Sequence, residues 1–467
     1  MRNIRADRIT IRPDETTHLY IRNKAALTGE AAMYYFDLYA MWQGQASVDL
    51  AADVQAAGEY QVALCCSVPG KPAAVRVTAG KSEVAGTVAK TWGVWTGEDK
   101  RDYNFERVTL PGALRLREGP VTISVHATTG KKPKSLNVSS IELTPVRAQK
   151  ALAAREAAAL TERPSPAWFS QLGYGLMFHW QPGRSDLKGQ TKPYEQMVND
   201  FDVRRWADMV EDTGARYVFI TANHGEPHFP APLKFWEKIH PGWTTRRDLL
   251  AEMSYELERR SMRMCAYLNC PTFASLSTCR SMERYVDLCC RMFQEVGEHY
   301  GPHLGAYWLD SFYQPYIKWG HLDIHTILKA ARAGCKDRMI AFNHWAFPVP
   351  TQAQDFWAGE VFQTIGAAPD RKHYRSEDGA QFAAGAGKGI LYHALYSPDC
   401  NWGCGKIENG KIVDNPIWKA EMFGGHIKQC VQRGAAVTLN LGCLMDGSIA
   451  PQTVRWMRKI RKIVRGD

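Results

Sequence analysis

Gly305-Ala306-Tyr307-Trp308-Leu309-Asp310-Ser311 is an apolar run too short for a helix, and it ends on a carboxylate. It reads as a buried strand with Asp310 at its C-terminal tip. Taken alone, such an Asp is more often a cap or loop anchor than a catalyst. What decides the fold is that this kind of run recurs. Runs at 173–180, 215–222, 263–269, 338–344, 356–364, 387–393 and 435–441 join 305–310, with amphipathic stretches at 203–212, 248–260, 282–300 and 324–333 between them. Eight strands alternating with helices predict a (β/α)8 barrel over 164–467, with an open doubly wound sheet as the alternative.

Upstream the period changes. Residues 1–147 carry short alternating runs broken by Gly and Pro, among them 58–64, 74–78, 105–110, 120–126 and 136–143, which predict an all-β jelly-roll sandwich. The order of these runs resembles carbohydrate-binding modules. Trp42, Trp92 and Trp95 are then either platforms for sugar rings or core and interface residues. Residues 148–163 are rich in Ala, Leu, Glu and Arg and read as a helical linker that stops before Arg163-Pro164-Ser165-Pro166.

The chain has 467 residues, 45% of them hydrophobic, enough for a large core. A net charge of +10 is spread without a long Lys/Arg run; it reads as solubility, or as attraction to acidic glycans, and not as a nucleic-acid surface. No stretch is long and apolar enough to span a membrane. The start carries no apolar signal segment, so the chain as written is expected in the cytoplasm, or outside it if a leader was removed. The 12 cysteines show no strong metal-ligand spacing, Cys400-Asn-Trp-Gly-Cys404 being the nearest approach, and read as buried free thiols. No metal or organic cofactor is expected, and oligomeric state is not legible.

In a barrel the C-terminal ends of the strands share one mouth, where catalytic groups sit. Those ends carry His179 and Trp180, Asn223 and His224, Tyr267 and Asn269, Asp310, Asn343 with His344 and Trp345, Glu360, His393 and Asn440. Aromatic faces pack on sugar rings while His and Asn bond their hydroxyls. A retaining glycosidase further needs two carboxyl groups about 5–5.5 Å apart, and Asp310 with a second acid on another strand end would supply them.

Five ordered motifs over residues 167–463 resemble the α-L-fucosidases of glycoside hydrolase family 29. They are Trp168-Phe169 with Tyr174-Gly-Leu-Met-Phe-His-Trp180; Phe201-Asp-Val-Arg-Arg-Trp-Ala-Asp-Met209 with 214–221; Arg247-Asp-Leu249; Tyr307-Trp-Leu-Asp310; and Asn440-Leu-Gly442 with Asp446-Gly-Ser-Ile449. The resemblance implies that Asp310 is the nucleophile and that His179 binds the sugar. Asp355-Phe-Trp-Ala-Gly-Glu360 is similar to a family segment and makes Glu360 the first choice for acid/base, with Glu226, Glu377 and Glu408 as alternatives. The family's paired His is reduced to His224 in Thr221-Ala-Asn-His-Gly-Glu226. Its E-W-Y motif is replaced by Lys192-Pro-Tyr194, and Ser311 stands where the family has Gly.

The expectation is therefore a retaining exo-glycosidase for an α-L-fucoside or a related deoxy- or galacto-configured sugar. Asp310 and Glu360 would be catalytic, with His179, Trp180, His224, Tyr267, Asn269, His344 and Trp345 on the sugar of an oligosaccharide or glycoconjugate. The rival is a carbohydrate-binding barrel without turnover.

Overall fold

The computed structural model describes residues 6–34, 37–91, 105–129, 136–344, 349–362, 380–383, 387–399, 402 and 406–467. Trp92, Trp95, Trp345, Glu377, Cys400 and Cys404 lie outside them.

The β domain is one ten-stranded sheet, antiparallel except where Ile9–Ile11 runs parallel to Ala52–Val54. Its spine is the 16-residue strand Tyr39–Val54, which pairs with four others. The sheet curls into a near-barrel until its end strands, Ser82–Val88 and Glu106–Leu116, lie against each other: a Cβ on Gly86 would come 3.1 Å from the Pro111 side chain. Strict alternation fills its interior, as in Ala73–Ala79, where Ala73, Val75, Val77 and Ala79 point in and Ala74 and Arg76 out. Trp42 belongs to this core, fully buried with its indole N–H on the Ala46 carbonyl at 3.1 Å.

The helix Gln149–Thr161 leads to a parallel eight-stranded sheet. In chain order its strands are Tyr174–Phe178, Tyr217–Thr221, Arg263–Asn269, Leu304–Asp310, Met339–Phe342, Gly359–Phe362, His393–Tyr396 and Ala436–Asn440. They are arranged fifth, fourth, third, second, first, eighth, seventh, sixth. The first strand thus pairs with the last, as a TIM-type barrel requires. Between the fifth and sixth strands the ladder gives way to Asp355. Its N–H donates to the Ile340 carbonyl (2.9 Å), its carboxylate accepts the Ile340 N–H (2.6 Å), and its carbonyl accepts the Leu391 N–H (3.0 Å).

Aromatic and sulfur side chains fill the barrel, with Phe169, Met177, Tyr217, Phe219, Trp308 and Phe356 in one cluster. Gly175 is required by that filling, since a Cβ there would lie 2.3 Å from the Tyr217 ring. Outside, the helices Val203–Asp212, Leu249–Glu258, Met282–Tyr300 and Ile324–Ala331 each start on a side-chain cap, from Asp202, Asp248, Ser281 and Asp323; such a cap contributes about 1 kcal/mol. The motif Arg247-Asp-Leu249 is structural. Arg247 donates to the carbonyls of Val198, Asn199 and Phe201, Asp248 caps its helix, and Leu249 is buried.

The seventh strand corrects the sequence reading. It was expected at 387–393, with His393 at the mouth; it runs from His393 to Tyr396. The apolar run continues past the histidine, so His393 opens the strand, deep in the barrel. There its Nε2 meets the Thr438 hydroxyl at 2.7 Å and its ring packs on Phe169, Trp308 and Phe356. The ten described cysteines are free, and among the described residues no helix is long and apolar enough to cross a membrane.

Candidate active site

Parallel register sets the site. Asn269 pairs with Asp310 across the third and fourth strands, and Leu309 pairs with Phe342, which brings the next residue, Asn343, beside Asp310. Asp310 is half-buried, and its oxygens are unequally loaded. Oδ2 accepts from the Tyr267 hydroxyl (2.7 Å), the Asn269 amide (2.9 Å) and the Ser311 hydroxyl (2.9 Å), while Oδ1 accepts from the Asn343 amide (2.8 Å). Hydrogen bonds to an ionised acceptor contribute about 1.5–3 kcal/mol each. Burial first, and then the Asp310 charge, push the Tyr267 phenol well above its usual range, so it stays a donor. Ser311 adopts a left-handed φ of 61°, a conformation natural to glycine, and its hydroxyl is one of the Asp310 donors.

The Asn343 nitrogen also donates to Glu360 Oε1 at 2.6 Å. One NH2 group therefore carries a carboxylate on each hydrogen, and its partners fix the orientation of the amide. The bonds of 2.8 and 2.6 Å limit how far apart the two acceptor oxygens can lie. Retaining pairs of carboxyl groups lie about 5–5.5 Å apart and inverting pairs about 6.5–9.5 Å, and two oxygens bonded to one nitrogen cannot reach the wider spacing.

His179 is buried, and burial, with His224 adding to it, holds its pKa down at about 3. The neutral ring lies 2.6 Å from Asn440 Oδ1 through Nδ1, which must carry the proton, leaving Nε2 an acceptor. Three rings surround it: Trp402 at 5.2 Å, Tyr267 at 5.2 Å and His224 at 5.7 Å between centroids. His224 stacks on Tyr267 at 5.5 Å, and burial lowers its pKa in spite of Asp310. Asn223 pins the end of the third strand, accepting the Asn269 N–H and donating to the Asn269 carbonyl.

The structure thus gathers Asp310, Glu360, Tyr267, Asn269, His179 and His224, with Asn269 on the carboxylate. Trp180 is 1% exposed, with its indole N–H on the Met445 carbonyl (2.7 Å) and its ring against Phe201 and Tyr194. His344 is buried and turned toward the β domain, edge-on to Tyr316 at 5.4 Å. Glu226 is exposed, and Glu408 sits in a two-stranded hairpin paired with Lys406. Sequence reading named Asn343 as a strand end without its double contact. It also missed Tyr313, a buried phenol raised to about 12 by burial and then by Asp310. Neither has a signal in a single sequence.

The profile of the α-L-fucosidase family matches residues 186–356. That span contains His224, Tyr267, Asp310 and Asn343, and lies between His179 and Glu360. Over this segment the chain is related to the α-L-fucosidases. Human tissue α-L-fucosidase is 27% identical over 141 residues, which are 23% of this chain and 30% of that protein. Rat plasma α-L-fucosidase is 25% identical over 138 residues, 22% of this chain and 29% of that one. The chain thus spans under a third of the length of these curated relatives. Among solved structures, an endo-fucoidan hydrolase of glycoside hydrolase family 107 shares the fold at a TM-score of 0.50 and 12% identity, over 64% of this chain and 63% of that one.

Proposed function

We propose that this fucosidase relative is a retaining, exo-acting glycoside hydrolase for an α-L-fucoside or a closely related deoxy- or galacto-configured glycoside. The observation that carries the reading is the Asn343 amide shared between Asp310 and Glu360. Asp310 Oδ1, the less loaded oxygen, attacks the anomeric carbon. Oδ2 becomes the carbonyl oxygen of the glycosyl ester and keeps Tyr267, Asn269 and Ser311 for the charge that returns when the ester breaks. Glu360, held by Asn343, gives its acidic proton to the departing oxygen, and its carboxylate then takes a proton from the water that cleaves the ester. His179 Nε2 and His224 accept sugar hydroxyls, with Trp402 and Tyr267 as apolar walls.

A panel of 4-nitrophenyl glycosides including α-L-fucoside, α-L-galactoside and α-L-rhamnoside, together with a fucose polymer, tests this. The expected result is aryl release from the α-L-fucoside or a near relative, with the anomeric configuration of the first-formed sugar retained. Inverted product, or no turnover by a protein that still binds the sugars, would overturn the reading.

A further inference from the structure

The β domain meets the barrel directly behind the carboxylates. The turn Asp310-Ser311-Phe312 runs into the helix Tyr313–Trp319, and the β domain sits on that helix. The His18 N–H donates to the Gly320 carbonyl at 2.6 Å and the Asn23 amide to the Ile317 carbonyl at 2.8 Å. The fit at Gly320 is close, since a Cβ there would lie 2.3 Å from the Ile9 side chain.

A chain of rings continues inward from this contact. The His18 ring stands edge-on to Tyr316 at 4.8 Å, and Tyr316 edge-on to His344 at 5.4 Å. His344 is hydrogen-bonded to the Phe312 backbone and directly follows Asn343, whose carbonyl accepts the Phe312 N–H at 3.2 Å. His18 is itself held by Glu142, a buried carboxylate 3.4 Å from its Nδ1 and 2.5 Å from Arg107 Nε. A buried, paired carboxylate fixes its neighbours because moving any of them leaves a charge unpaired. The β domain is thus packed, through three rings, onto the two segments that carry Asp310 and Asn343.

We propose that His18 is a positioning residue for the carboxylate pair. Seated by Glu142 and Arg107, it holds Tyr316 and His344, and through them the Asn343 amide that spaces Asp310 from Glu360. The β domain is then a working part of the catalytic centre. The inference rests on the glycosidase reading above for its kinetic consequence and on the packing alone for its structural one.

The test compares full-length wild type, His18→Ala and His18→Phe, the last keeping a ring against Tyr316. Two readouts are taken: kcat and KM on the best substrate of the panel, and amide hydrogen exchange across the barrel. His18→Ala is expected to lower kcat about tenfold with KM within about twofold, and to speed exchange at 309–316 and 340–344 ahead of the other barrel strands, with His18→Phe recovering most of both. Unchanged exchange in those two segments, or a rise in KM alone, would overturn the proposal. If no glycoside is hydrolysed by the wild type, the glycosidase reading fails and the exchange result still decides the packing claim.

Discussion

Asp310 and Glu360 accept from the same nitrogen, the side-chain amide of Asn343, at 2.8 and 2.6 Å. Two carboxyl groups held this close would drift or share a proton if the donor between them were lost. The amide keeps each on its own hydrogen bond. Asn343→Ala should lower kcat about 10²-fold, the lower end of what acid–base positioning contributes, with the fold unchanged by circular dichroism. Asn343→Asp should be worse, because it places a third carboxylate between two. Equal activity of the Asp variant and the wild type would show that the bridge has no role.

Tyr267 gives Asp310 its shortest hydrogen bond, 2.7 Å, from a phenol that burial keeps protonated. Tyr267→Phe removes that donor and leaves the stack on His224. Steady-state kinetics should show kcat reduced by about 10- to 100-fold, the value of one charge-assisted hydrogen bond. A change confined to KM would assign the hydroxyl to the sugar rather than to the carboxylate.

Asp355 closes the barrel seam. Its carboxylate meets Arg332 at 2.9 Å, and the two side chains are 0% and 9% exposed. Asp355→Ala leaves a buried guanidinium unpaired and the Ile340 N–H without its acceptor. The expected loss is about 3–5 kcal/mol, read as a lower midpoint in denaturant. A loss below about 1 kcal/mol, the size of an exposed pair, would contradict this account of the seam.

His179, His228, His344 and His393 are each pulled from the ordinary 6.5 to about 3 chiefly by burial. The unfolded chain therefore binds more protons than the folded one below about pH 6.5. Stability is at its fullest above that pH and is lost as the pH falls toward 3, by about 1.4 kcal/mol per pH unit for each histidine fully engaged. His393→Gln, remote from the mouth, should flatten the slope of stability against pH in this window by about one proton. An unchanged slope would mean that His393 is charged in the fold.

Period-two strand logic explains what was legible and what was not. The run ending at Asp310 and the neighbouring ends Tyr267, Asn269 and His179 were readable because parallel strands deliver their C-terminal residues to one mouth. Adjacent residues at such an end face opposite ways. This is why His179 and Asn343 reach the cluster while Trp180 and His344 are buried behind it, although the sequence names each pair together. His393 misled because a histidine inside an apolar run looks like its end. The Asn343 bridge depends on the register of the fourth and fifth strands and on the irregular course of residues 355–360, which no single sequence displays. The β domain was legible as strands, and its seat behind the carboxylates was not.

The most direct measurement of the central claim is covalent trapping. The wild type is incubated with a 2-deoxy-2-fluoro-L-fucosyl fluoride, which slows the second step more than the first, and the labelled peptide is located by mass spectrometry. The account predicts one glycosyl unit per chain, on the peptide containing Asp310, and none in Asp310→Ala. A label on another carboxylate, or hydrolysis with inverted product and no trapped ester, would contradict it.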